Sequence, residues 1–118
     1  MADAALFIGW GEVIVGREAI ANAGFAEAMA FYTSQQQKGT IESFEPVLLS
    51  PHGGDLAGFI LVRGEAAKLA ALKQTEEFQN LNTRARLYLH GLGIIDGYIG
   101  TSLATMMTTW QGAIQQLP

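Results

Sequence analysis

The chain has 118 residues, 49% hydrophobic and 15% charged, with a net charge of −4 and no cysteine. That length suits one domain spanning 1–118; no basic run offers a footprint for nucleic acid, no apolar stretch approaches the roughly 18 residues of a membrane span, and without cysteine there is no disulfide, thiolate metal site or cysteine nucleophile. Charge at 15%, against about 25% in ordinary domains, covers so small a surface poorly, so the chain is expected to bury one face against a copy of itself.

The opening Met1-Ala2-Asp3-Ala4-Ala5 has no basic region before its apolar run, unlike a secretory signal, and a cytoplasmic location is the expectation. Residues 5–15 are near-continuously apolar and rich in β-branched and aromatic types, which reads as a largely buried first strand. Leu6, Ile8, Trp10 and Glu12 share one of its faces; Phe7, Gly9, Gly11 and Val13 share the other. Gly16 breaks the run. Ala21, Phe25, Ala28, Met29 and Tyr32 then recur at helical spacing. Glu18 near the start and Lys38 near the end suit the helix dipole, and Gly39 suits a C-terminal cap. Gly24 is an awkward residue for the interior of that helix.

Residues 40–49 give a second strand. Pro46 has no N–H to donate, which places this strand at a sheet edge or at a bulge. The turn formers of 50–55 separate it from a third strand over 56–63, as in a hairpin with a long loop. A helix after Gly64 presents Leu69 and Leu72 to a core. Thr75 caps a further short helix with Glu76 and Glu77 in its first turn. Residues 87–99, interrupted by Gly91, Gly93 and Gly97, read as the fourth strand. A last helix, with Thr101 or Ser102 as N-cap, carries the apolar stripe Leu103, Met106, Met107, Trp110, Ile114 and Leu117.

The order is β-α-β-β-α-β followed by a C-terminal helix. This predicts an α+β ferredoxin-like fold, a four-stranded antiparallel sheet with helices on one face. A sheet with one face in water alternates apolar and polar residues. These strands are apolar on both sides, so the second face needs a cover.

In element order, in Gly16-Arg17-Glu18 opening the first helix, in Gly54-Asp55-Leu56-Ala57-Gly58-Phe59 entering the third strand and in Glu77-Phe78-Gln79-Asn80-Leu81 before the fourth, the chain resembles the dimeric α/β-barrel superfamily, above all its small uncharacterised members. The resemblance implies a homodimer in which two sheets pack face to face as a barrel. The superfamily also holds haem-degrading monooxygenases, cofactor-free quinone-forming monooxygenases, haem peroxidases and stress-response proteins, so fold alone does not give function. The asparagine, tryptophan and histidine set of the haem-degrading members has no match here. Asn22 lies on the first helix, and the first strand has no asparagine.

Glycines beneath helices let backbones approach, and on that ground the faces of Gly9 and Gly11, of Gly91 and Gly93, and of Gly58 are assigned to the helices. The barrel would then be lined by Trp10 and Glu12, by Phe59 and Arg63, and by Tyr88 and His90. His90 is a candidate proton shuttle, general base or axial haem ligand, against the plainer reading of a histidine with one satisfied hydrogen bond. Glu12 in an apolar strand is a candidate catalytic base, or else the partner of Arg63 or Arg86. Trp10, Phe59 and Tyr88 could stack on an aromatic ligand, or simply pack. His52 with Asp55 could form a metal or acid–base pair, or sit in a solvated turn. Two histidines without metal-ligand spacing predict no dedicated metal site. Met106, Met107 and Trp110 read as core or interface rather than a haem lid.

Three functions compete. One is the binding of a small apolar or aromatic molecule, with Trp10, Phe59, Arg63, Tyr88 and His90 around a cavity between or within the dimer sheets. Another is a cofactor-independent or haem-related monooxygenase acting on an aromatic or polyketide-like substrate through His90 or Glu12. The third is a structural or stress-response dimer with a solidly packed barrel. No cofactor is predicted; haem belongs only to the second reading.

Overall fold

The computed structural model describes residues 2–118; Met1, the first residue of the N-terminal stretch read above, lies outside them. In chain order the elements are β1 (Ala4–Trp10), α1 (Glu18–Lys38), β2 (Ser43–Leu48), β3 (Gly58–Gly64), α2 (Ala66–Gln74), α3 (Glu76–Ala85), β4 (Gly93–Tyr98) and α4 (Gly100–Gln115). The strands form one antiparallel sheet in the order β2-β3-β1-β4. This is the expected split βαβ arrangement, with β1 and β3 central and β2 at an edge, where Pro46 costs the ladder least.

Local chemistry sets the helix boundaries. Gly39 takes the left-handed conformation at φ 78° that closes α1, and its N–H reaches the carbonyls of Gln35 and Gln36. The Asp3 carboxylate accepts a 3.0 Å bond from the Ala66 N–H at the start of α2. The Thr75 hydroxyl accepts from the Phe78 N–H at 3.3 Å and opens α3, as its sequence position suggests. Helix α4 departs from expectation. Ile99 stands at its N-cap position with no side-chain bond, and Thr101 and Ser102 lie inside the helix.

Two strands are shorter than the apolar runs that predict them. β1 ends at Trp10 and β4 begins at Gly93. Beyond the sheet the two segments of the chain still run side by side, because the Val13–Leu89 bridge keeps the register set by Gly9 and Gly93. Gly91, left-handed at φ 61°, breaks the ladder between them. A periodicity of apolar residues cannot reveal such a break.

The buried core lies between the sheet and α1, α2 and α3. Leu6, Ile8 and Trp10 of β1, with Ile60 and Val62 of β3, meet Phe31 and Tyr32 of α1, Leu69 and Leu72 of α2, and Phe78 and Leu81 of α3. Strand register carries Ile94 of β4 to the same face, opposite Ile8. This inverts the face assignment made from glycines for β1 and β4, so Trp10 lies beneath α1 rather than inside a barrel. The physical reason is volume. A sheet face under helices must be filled, and large side chains fill it better than glycine. Gly9 instead lies on the open face, where a Cβ would stand 2.6 Å from the Phe7 ring. The assignment holds for β3, where Gly58 is on the helix side and Phe59, Leu61 and Arg63 are on the open one.

The open face carries Phe7 stacked on Phe59 with ring centres 4.8 Å apart, flanked by Leu61, Val47 and Ile95. Ile95 is 58% exposed. The Arg63 guanidinium meets Glu45 at 3.4 Å at one corner. No residue of α4 is buried, and the radius of gyration is 16.4 Å, against about 13.5 Å for a compact chain of this length. No helix among the described residues is long and apolar enough to cross a membrane.

Candidate functional site

An apolar cavity of about 340 Å³ opens between α1 and the sheet. Ile8, Trp10 and Ile60 form its floor, α1 its roof from Glu18 to Tyr32, and Leu81, Asn82, Ala85 and Tyr88 its far wall. It exists because α1 presents Ala21, Gly24 and Ala28 to the sheet, three residues too small to fill the gap. Aromatic rings bound the space instead. Trp10 meets Phe25 edge to face at 6.5 Å, and Tyr32 packs between Phe31 and Phe44 at 5.1 and 5.8 Å.

Gly24 has a specific role here. It is buried in α1, and a Cβ placed on it would collide with the Tyr88 hydroxyl and lie 2.5 Å from the ring carbon bearing it. Only glycine lets Tyr88 close against the helix. The segment holding Tyr88 is tied to α1 twice, by the Arg17 guanidinium on the Leu87 carbonyl and by the Arg84–Glu27 ion pair.

Both cavity tyrosines are held as neutral phenols. Burial pushes the Tyr32 hydroxyl far above its usual range, with a hydrogen bond to the Asn82 side chain working the other way. The Tyr88 hydroxyl is also raised, first by burial and then by the Glu27 carboxylate, against the opposing Arg84 charge. Each is therefore a hydrogen-bond donor at neutral pH rather than a base. A phenol with a raised pKa binds its proton more tightly in the folded state. Its contribution to stability is complete below the unfolded value of 10.0 and is lost as the pH climbs above it. The unfolding midpoint in urea is expected to fall steeply above about pH 10. Tyr32→Phe is expected to flatten that limb while costing about 1 kcal/mol at neutral pH through the lost hydrogen bond. Parallel alkaline limbs in the two proteins would refute the assignment.

A second cavity, of about 600 Å³, lies on the other side of Trp10 and is walled by Gly11 and Glu12, Gly54 to Leu56, and His90 with Gly91. Glu12 and His90 meet here through their backbones: the His90 N–H donates to the Glu12 carbonyl at 3.0 Å, and the Gly11 N–H to the His90 carbonyl at 2.7 Å. Both side chains are exposed. The strand ends before Glu12, so its carboxylate stays in water and is not desolvated as its apolar neighbours in sequence suggest. His52 uses both ring nitrogens within its own turn, Nδ1 accepting from the Gly54 N–H at 3.2 Å and Nε2 facing the Leu56 carbonyl at 2.6 Å. A carbonyl can only accept, so Nε2 carries the proton. Among the described residues no three His, Asp or Glu side chains gather as a metal ion would need.

Six of the residues singled out from sequence therefore fall in three places. Trp10 and Tyr88 line the apolar cavity, Glu12 and His90 line the second one with Trp10 as the shared wall, and Phe59 and Arg63 lie on the opposite face of the sheet. Tyr32, Phe25, Asn22 and Asn82 complete the apolar cavity without having been marked. Tyr32 and Phe25 belong to the helical stripe of α1, and a stripe does not tell which members seal a core and which border a void.

No protein-family model matches the chain, and no curated protein is detectably similar to it. Among solved structures it is similar to a dimeric protein of unknown function and ferredoxin-like fold from Bacteroides fragilis, with a TM-score of 0.58 and 12% identity over 81% of this chain and 96% of that one. The fold is thus ferredoxin-like, and the resemblance read from the sequence to small uncharacterised proteins of that fold fits this neighbour.

Proposed function

We propose that the protein is a cytoplasmic homodimer that binds a small apolar or aromatic molecule in the cavity between α1 and the sheet of each protomer. The observation that carries the reading is the cavity itself. About 340 Å³ is within the range of roughly 300–1,000 Å³ typical of small-molecule sites. Its walls are mostly aromatic and aliphatic, and its few polar residues are Glu18, Asn22, Tyr32, Asn82 and Tyr88. The homodimer is supported by the dimeric Bacteroides fragilis neighbour and by the apolar open face of the sheet. The cavity belongs to one protomer and lies on the helix side, which moves the proposed ligand away from the space between two sheets.

The neutral fluorophore anilinonaphthalene provides the test. Binding is expected to saturate at one molecule per protomer. Ala28→Phe, which places a ring in the void from α1, is expected to abolish it while leaving the unfolding midpoint unchanged or higher. Trp110→Gln on the distant α4 is expected to bind as the parent does. Equal binding by Ala28→Phe would overturn the assignment. Conversion of the bound aromatic under air would replace a binding role with the oxygenase reading.

A further inference from the structure

The strongest unexplained feature outside the cavity is α4. Its stripe of Leu103, Met106, Met107, Trp110, Ile114 and the following Leu117 spans about 100° of the helix surface, and every member is between 43% and 71% exposed. Three threonines on its other side bond back to the carbonyl one turn earlier and so satisfy themselves within the helix. Residues 97–118 contain no Asp, Glu, Lys, Arg or His, so every charged side chain lies before them. A helix that is amphipathic, uncharged and unburied is a surface made to be covered.

We propose that α4 is an association arm, packing its apolar stripe on a second copy of this chain. The inference rests on the homodimer proposed above and assigns part of its interface. Size argues for joining two patches. A stable interface takes roughly 800 Å² from each partner. The α4 stripe, about 24 Å long and 10 Å wide, is far short of that. So is the open sheet face, roughly 19 Å across its four strands and 23 Å along them. Together they approach it. Helix α4 follows directly from β4, whose Ile95 belongs to the open sheet face, so one chain supplies both patches. Chemistry argues against other occupants. Helices that lie on membranes carry Lys and Arg on the polar face, and α4 has none, in a chain of net charge −4. A charged protein or nucleic acid would find nothing to pair with.

The two tryptophans make the test direct, since Trp10 is 8% and Trp110 59% exposed within the protomer. The difference between the emission of the parent and that of Trp110→Phe isolates Trp110. Its emission is expected to be blue-shifted at micromolar concentration and to move red on dilution, in step with the loss of dimer mass. Met106→Glu with Trp110→Glu is expected to raise the dimer dissociation constant roughly a hundredfold or more, the effect of losing a central aromatic anchor. Because no residue of α4 is buried in its own protomer and none lines the apolar cavity, anilinonaphthalene binding by the double variant should persist and certifies its fold. A double variant that stays dimeric at the parent's concentrations overturns the inference and leaves the homodimer standing. A parent of single-chain mass overturns the homodimer itself. Emission that is blue at every dilution, or that shifts only when phosphatidylcholine vesicles are added, assigns the stripe to its own protomer or to lipid and equally overturns the inference.

Discussion

Gly24→Ala will destabilise the protein by about 1–3 kcal/mol, the usual cost of forcing extra atoms into a packed site. The sign is the informative part. In an exposed helix interior the same change gains roughly 1 kcal/mol, because alanine is the better helix former. At Gly24 the space is taken by the Tyr88 hydroxyl and the ring carbon behind it. The tyrosine cannot swing aside freely, because the backbone just before it is held by Arg17 and the helix end by the Arg84–Glu27 pair. Shortening the tyrosine should therefore relieve the clash. In a Tyr88→Leu background, Gly24→Ala is expected to be neutral or stabilising, with a coupling between the two changes of about 1–3 kcal/mol. Urea unfolding of the four proteins measures it. Additive effects would mean that glycine is needed at this position for some other reason.

The two faces of β1 should respond differently to the same truncation. Leu6→Ala is expected to cost about 2–5 kcal/mol, since Leu6 is 1% exposed between Val62 and Asp96 on neighbouring strands. That cost lies inside the protomer and should not depend on protein concentration. Phe7→Ala, one residue along, removes the stack on Phe59, which is worth about 0.5–1.5 kcal/mol. The half-buried ring also loses apolar contact within its own protomer; only the part of the cost that grows with protein concentration reflects a covering partner, as mass action requires. Unfolding midpoints over a hundredfold range of concentration separate the two contributions. A Phe7→Ala effect that is flat over that range would leave the open face uncovered.

Much of the architecture was legible from residue patterns. The alternation of strands and helices, the edge position of Pro46, the Gly39 closure and the Thr75 cap all follow from local rules that act over a few residues. What failed depended on contacts across the chain. The glycine argument for sheet faces weighed backbone approach and ignored the volume that Leu6, Ile8 and Trp10 must fill under the helices. Gly24 looked like a defect of α1 because its reason, Tyr88, lies far along the sequence. Trp10 and Tyr88 could be marked as ligand-facing aromatics, yet Phe59, of the same type and also on a strand, faces the other way. His90 and Glu12 are brought together by a backbone ladder that continues the register of the sheet, which no side-chain spacing announces.

Pro46 at the rim of β2 has a consequence for how the protein can go wrong. A strand edge normally offers a row of free N–H and carbonyl groups on which another chain can crystallise as fibre. On one side of this sheet the row is interrupted by Pro46, with the Glu45 carboxylate beside it. On the other, β4 offers six residues before the chain turns into helix at Gly100, too short a template for a long added strand. Lateral growth is therefore obstructed at both rims, and a chain as rich in apolar strand sequence as this one is steered toward contacts through its faces, which close after a finite number of molecules rather than propagating.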